Sequence, residues 1–287
     1  MTARQQHRLF EQYPLTGSAV VDGQQVSTPY HIYDGSIVFM GGTADATAAR
    51  HLLRDERLTP ILDTQGNALM ALWLCDFTEA NLGAHHELQI SLFAAYTPQP
   101  AVPAHPFAIY RLLSLNPATM MVCHGLWNNT ALVVNYNREV LGLDARLSAS
   151  QIETLPTPRR RRFHVSDAAN GQAIAEGELH EPGQQNARTL WELSAHLGLK
   201  GLLNMTRSPF IHVPVINTVN ERLADNQIAH TYTRADRQII RRFDPAADRL
   251  SIQHETYAPL RFRPSFVQHG YGVRFVYLLP QPFSQPY

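Results

Sequence analysis

Short apolar runs closed by turn signals dominate this chain, without the regular strand–helix–strand alternation that a parallel sheet requires. GSAVVDGQQV at 17–26 reads as a hairpin about Asp22-Gly23, a turn dipeptide between β-formers. SIVFMGG at 36–42 reads as a strand ending at a glycine pair. NALMALWLCDF at 67–77 reads as a buried strand and HELQISLFAAY at 86–96 as an alternating one. PFAIYRLLSL at 106–115 and TALVVNYNREV at 130–140 follow in the same strand-like style. FHVSDAANGQAIAEGEL at 163–179 is a second hairpin with Asn170-Gly171 at its tip, and 248–262 and 271–280 read as closing strands. Helical spacing is confined to two segments. In ADATAARHLLRDE at 44–56, Ala46, Ala49, His51, Leu52 and Leu53 share a face behind a cap at Asp45. In NARTLWELSAHLGLKGLLN at 186–204, Leu190, Leu193, Leu197 and Leu203 supply an apolar stripe that Gly198 and Gly201 weaken at its end. The pattern predicts a mainly β or α+β domain rather than a doubly wound sheet.

At 287 residues and 44% apolar, the chain can bury one sizeable core, and a single domain over 1–287 is expected. The formal net charge is zero, which argues against a nucleic-acid partner, since neutralising many phosphates takes a surplus of Lys and Arg. The basic residues are lopsided: 23 are Arg and Lys200 is the single Lys. A Schiff base needs a primary amine, so only Lys200 or the amino terminus could form one. Cys75 and Cys123 lie in apolar runs and read as buried free thiols. The arginine run at 159–162 follows Pro156 and Pro158 and reads as a loop, a solvated patch or oligomer contact before a phosphate grip. No apolar leader and no run of 18 apolar residues is present, so a soluble, cytoplasmic protein with no membrane partner is expected.

Phosphate-loop, dinucleotide, serine-elbow and zincin motifs are missing. The densest polar constellation is His85-His86-Glu87 at a strand start. Alternation turns His85 and Glu87 one way and His86 the other. The pair could serve as general acid and base or as metal ligands, or it could be an ordinary solvated strand end. No further ligand stands at metal spacing, so no metal and no cofactor is expected. A second constellation, His124, Trp127, Asn128 and Asn129 followed by Arg138 and Glu139, reads as turn-forming and strand-pairing residues.

Four segments, taken in order, resemble the acetoacetate decarboxylase family: 27–40 (STPYHIYDGSIVFM), 74–92 (LCDFTEANLGAHHELQISL), 126–146 (LWNNTALVVNYNREVLGLDAR) and the closing stretch from 250 to about 279. The resemblance implies a cone-like antiparallel β-barrel around a largely apolar pocket, and a homo-oligomer. It aligns Glu87 with the family's essential glutamate, Arg138-Glu139 with its Arg-Glu pair and Tyr30 with its entry strand. The position of its Schiff-base lysine falls on Ala145 and that of the adjacent cation on Arg146. An entry-strand arginine falls near Gly35, and a further acid near Leu69 or Met70.

Alanine cannot form an imine, and a guanidinium is a poor nucleophile. The expected activity is therefore acid/base chemistry on a keto or enol substrate of secondary metabolism: enolisation, dehydration or hydration, or cyclisation, of lyase or isomerase type. Glu87 and His85 act as acid and base, Arg146 polarises an oxyanion, and Tyr30, His124, Arg138 and Met70 bind substrate. Loss of charge near Gly35 and Met70 implies a ligand larger and less anionic than acetoacetate. The alternative is a non-catalytic ligand-binding or regulatory protein that uses the same pocket.

Overall fold

The computed structural model describes residues 6–54, 58–115, 119–156, 158–207, 214–217 and 227–282. Helix α1 (Arg8–Gln12) precedes a hairpin of β1 (Gly17–Val21) and β2 (Gln24–Thr28). Its turn residues Asp22 and Gly23 both take positive φ, as a two-residue hairpin turn of this hand requires. The long strand β3 (Tyr30–Ala44) leads to α2 (Ala46–Leu52), where the Asp45 carboxylate accepts the Ala48 amide at 2.8 Å. Then come β4 (Thr59–Pro60), β5 (Ala68–Ala80), β6 (His85–Ala95), α3 (Ala108–Leu115), β7 (Met120–Asn128) and α4 (Ala131–Glu139). The strands β8 (Ala145–Pro156), β9 (Arg159–Asp167) and β10 (Ala173–His180) form a meander before α5 (Ala187–Arg207), which kinks at Gly198. The chain continues with β11 (Pro214–Asn217), β12 (Gln227–Arg242), β13 (Arg249–Ile252), β14 (Arg263–Tyr277) and β15 (Gln281–Pro282).

Strands β12, β14, β3, β5, β6 and β7 are antiparallel neighbours in that order. β5 is apolar from Ala68 to Cys75 because both its faces are covered there. Leu69, Ala71, Cys75 and Phe77 join an inner core with α3, α4, α5 and the β1–β2 hairpin. Ala68, Met70, Leu72 and Leu74 join an outer core. β8 runs beside β7 for three residue pairs, then leaves it to carry β9, β10 and β13. That second layer seals the outer core with Phe163, Val165, Ile174 and Leu179.

Several sequence expectations are corrected. The segments at 106–115 and 130–140 contain the helices α3 and α4, not strands. Val133, Val134, Tyr136 and Asn137 are buried at i, i+1, i+3 and i+4, so the helical face outweighed the β preference of the branched residues. The arginine run lies in a strand, β9, not a loop. Of the stretch 248–262, only Arg249–Ile252 is a strand. The sheet is not the purely antiparallel barrel that the resemblance implies. Among the described residues, β7 pairs with both β8 and β11 in parallel, and with β11 through only two residue pairs. No helix among the described residues is long and apolar enough to cross a membrane.

Candidate active site

The inner face of the sheet encloses a cavity with about 60 Å³ of room for the centres of water molecules, several times what one water needs. Its apolar wall includes Trp73, Phe77, Met121, Leu126, Leu143 and Phe275. Polar side chains reach it from three strands and one helix: Tyr30, Glu87, Gln89, Thr231 and Thr233, and Asn137 of α4. Strand alternation and register bring these together. Cys75 opposes Glu87 across β5–β6, and Glu87 opposes Asn128 across β6–β7, so all three face inward. Both thiols, Cys75 and Cys123, are free, buried and on this wall.

Glu87 is held by a chain of two amides. The Asn137 side-chain NH2 donates to Asn128 Oδ1 at 2.9 Å, and the Asn128 NH2 donates to Glu87 Oε2 at 3.1 Å. Asn128 and Asn137 are both buried, and neither can leave this chain without stranding a polar group. Glu87 is half-buried and stands on the cavity wall among mostly apolar neighbours. Burial pushes its carboxyl up to about 7, against the opposing hydrogen bond from Asn128.

His85 is buried and does not meet Glu87 as an acid/base partner. Its Nδ1 lies 2.9 Å from the Gly83 carbonyl, which can only accept, so Nδ1 carries the proton and Nε2 accepts from the Tyr30 hydroxyl at 2.6 Å. Burial pulls the imidazole down to about 4, so it is neutral and serves to fix Tyr30. His86 faces the outer layer, with Nδ1 2.8 Å from Ser150 Oγ and Nε2 3.6 Å from Asp76.

The remaining sequence candidates are not brought to the cavity. Arg146 lies on the opposite face from Ala145, paired with Asp144 at 2.6 Å and over the Trp127 ring at 6.0 Å. His124 also faces outward, where it meets Tyr257 and the Leu52 carbonyl. Arg138 is exposed on α4, and Met70 is packed in the outer core. At Gly35, a Cβ would come within 2.6 Å of the Asp76 carbonyl, so this position leaves no room for an arginine. Asn128, Asn137, Gln89, Thr231 and Thr233 were not singled out as site residues. The register Glu87–Asn128 was the one signal that could have found Asn128, and it depends on knowing which strands pair. Among the described residues, no three His, Cys, Asp or Glu side chains converge as metal ligands.

No family model matches the sequence, and no curated protein matches it either. Solved structures do match. Acetoacetate decarboxylase from Legionella pneumophila subsp. pneumophila str. Philadelphia 1 is similar with a TM-score of 0.58 at 10% identity, over 90% of this chain and 88% of that one. The enduracididine biosynthesis enzyme MppR in complex with pyruvate gives 0.54 at 14%, over 90% and 91%. An acetoacetate decarboxylase-like enzyme from Sphingomonas wittichii RW1 gives 0.53 at 9%, over 89% and 92%. At these identities the likeness is one of fold.

Proposed function

We propose that this chain, which has the acetoacetate decarboxylase-like fold, is an enzyme that moves a proton at carbon next to a ketone, with Glu87 as general acid and base. The observation that carries the reading is the Glu87 carboxyl itself. One oxygen is tied to Asn128 and the carboxyl faces an apolar cavity, where a substrate proton could be taken up or returned. A carboxyl poised near neutrality can do both. Tyr30, oriented by His85, supplies a hydroxyl on the same wall. Enolisation is the common step of the isomerisations, dehydrations and cyclisations that such a site would support.

The reaction does not pass through an imine. Ala145 faces the inner core where the resemblance places the lysine, and Lys200, the sole lysine, is exposed on α5. Arg146, paired with Asp144 on the outer face, has no part in the chemistry. The test is exchange of α-hydrogen for deuterium in small uncharged ketones such as butanone, followed by proton NMR in heavy water. The parent protein is expected to catalyse exchange, and Glu87→Gln to slow it by roughly 100-fold or more. Equal rates in parent and variant would discard Glu87 as the base. Binding without exchange in either protein would instead favour a non-catalytic ligand carrier.

A further inference from the structure

We propose that the ligand of this cavity carries no net charge: it is an uncharged ketone or enone with oxygen functions on an apolar skeleton, and not a keto-acid anion. The proposal deepens the enolising reading of the same cavity and rests on it. It is carried by where the fold sends its charges. Among the described residues, the cavity wall holds no Lys, Arg or His, and Glu87 is its one acid. The motif cations are directed elsewhere. Arg146 is turned to the outer face by strand alternation and neutralised by Asp144. Arg161, which is buried, serves Glu181 at 3.4 Å in the outer layer. Arg138 and Lys200 are exposed on helices.

A carboxylate entering this space would lose its water and meet no fixed positive charge among the described residues, which strongly disfavours it. It would also face the Glu87 carboxyl, whose ionised form repels it. An uncharged carbonyl compound has neither problem. The hydroxyls of Thr231 and Thr233, the Gln89 amide and protonated Glu87 provide neutral hydrogen-bonding groups for its oxygens, and the aromatic wall covers its carbon skeleton.

The experiment compares two matched pairs, methyl acetoacetate with acetoacetate and methyl pyruvate with pyruvate. Binding to the full chain is titrated near pH 6, where the acids are ionised and Glu87 keeps its proton, and is read from the Met121 methyl signal of methyl-labelled protein. Each ester is expected to bind at least about tenfold more tightly than its acid. Gln89→Lys, which places a cation on the wall, is expected to narrow or reverse that ratio. If an acid binds the parent as tightly as its ester, the charge inference is overturned while the cavity remains the ligand site. If no ester or acid moves the Met121 signal, the cavity reading and this inference fall together. The parent ratio decides the matter even if Gln89→Lys does not fold.

Discussion

At the scale of single residues, Glu87 is the costliest group in the cavity. Its carboxyl is raised to about 7 chiefly by burial, with the Asn128 hydrogen bond working in the opposite direction. An acid whose folded value lies above its unfolded one favours the folded state at low pH, and that advantage is lost as pH rises from about 4.5 to about 7. Glu87→Gln removes the ionisable group. The variant is therefore expected to be about 2–3 kcal/mol more stable than the parent near pH 8, with the added stability fading toward about pH 4. Denaturant titrations at the two pH values check this. A gain that does not change with pH would mean that Glu87 is not electrostatically buried. The same residue shows how far sequence reasoning reaches. That His85 and Glu87 share a face follows from a period of two, and the structure agrees. That His85 serves Tyr30, 55 positions away, does not follow from any local rule.

At the scale of elements, α4 and β9 carry the clearest lessons. The segment 131–139 is rich in valine and passes for a strand, yet as a helix it drops Asn137 into hydrogen-bonding reach of Asn128. Asn137→Ala leaves the Asn128 amide without its anchor and weakens the bond that holds Glu87 down. The Glu87 midpoint, followed by carbon NMR of the carboxyl, is expected to move upward in this variant. A midpoint unchanged or lowered would show that α4 does not position Glu87. In β9, alternation divides a run of four arginines into two clamps. Arg160 and Arg162 reach Glu178, while Arg159 and Arg161 reach Glu181. A run that looks like a cationic patch in one dimension is two paired sets in three.

At the scale of the whole molecule, Glu181 links the second layer to the main sheet. Its buried carboxylate accepts from Arg159 and Arg161 of β9 and from Tyr271 of β14, the last at 2.5 Å. Burial alone would raise this acid, but the hydrogen bonds from Arg159 and Tyr271 and the charges of Arg161 and Arg159 together bring it to about 2. A depressed folded value means stability that is fully present above about pH 4.5 and is lost as pH falls toward about 2, amounting to about 3 kcal/mol. Glu181→Gln should flatten that acid limb. At neutral pH it should also cost up to about 3–5 kcal/mol, because it takes the nearer counter-charge from buried Arg161, which then has the Asp76 carboxylate at 3.9 Å. A variant with the parent's acid sensitivity would place the acid-labile contact elsewhere.

Residue types and local spacing were enough for the β-rich class, the two hairpin turns, the cap at Asp45, the buried thiols, and the shared face of His85 and Glu87. Each depends on residue type or on contacts a few positions apart. The packing of the folded chain fixes which strand face is the cavity, because β5 and β6 are covered on both sides and hydropathy does not distinguish an inner core from an outer one. It alone turned Arg146 and His124 outward and joined Asn137, Asn128 and Glu87. Those placements follow from which strands pair and in what register, and pairing over long sequence separations is set by the packing of the whole chain.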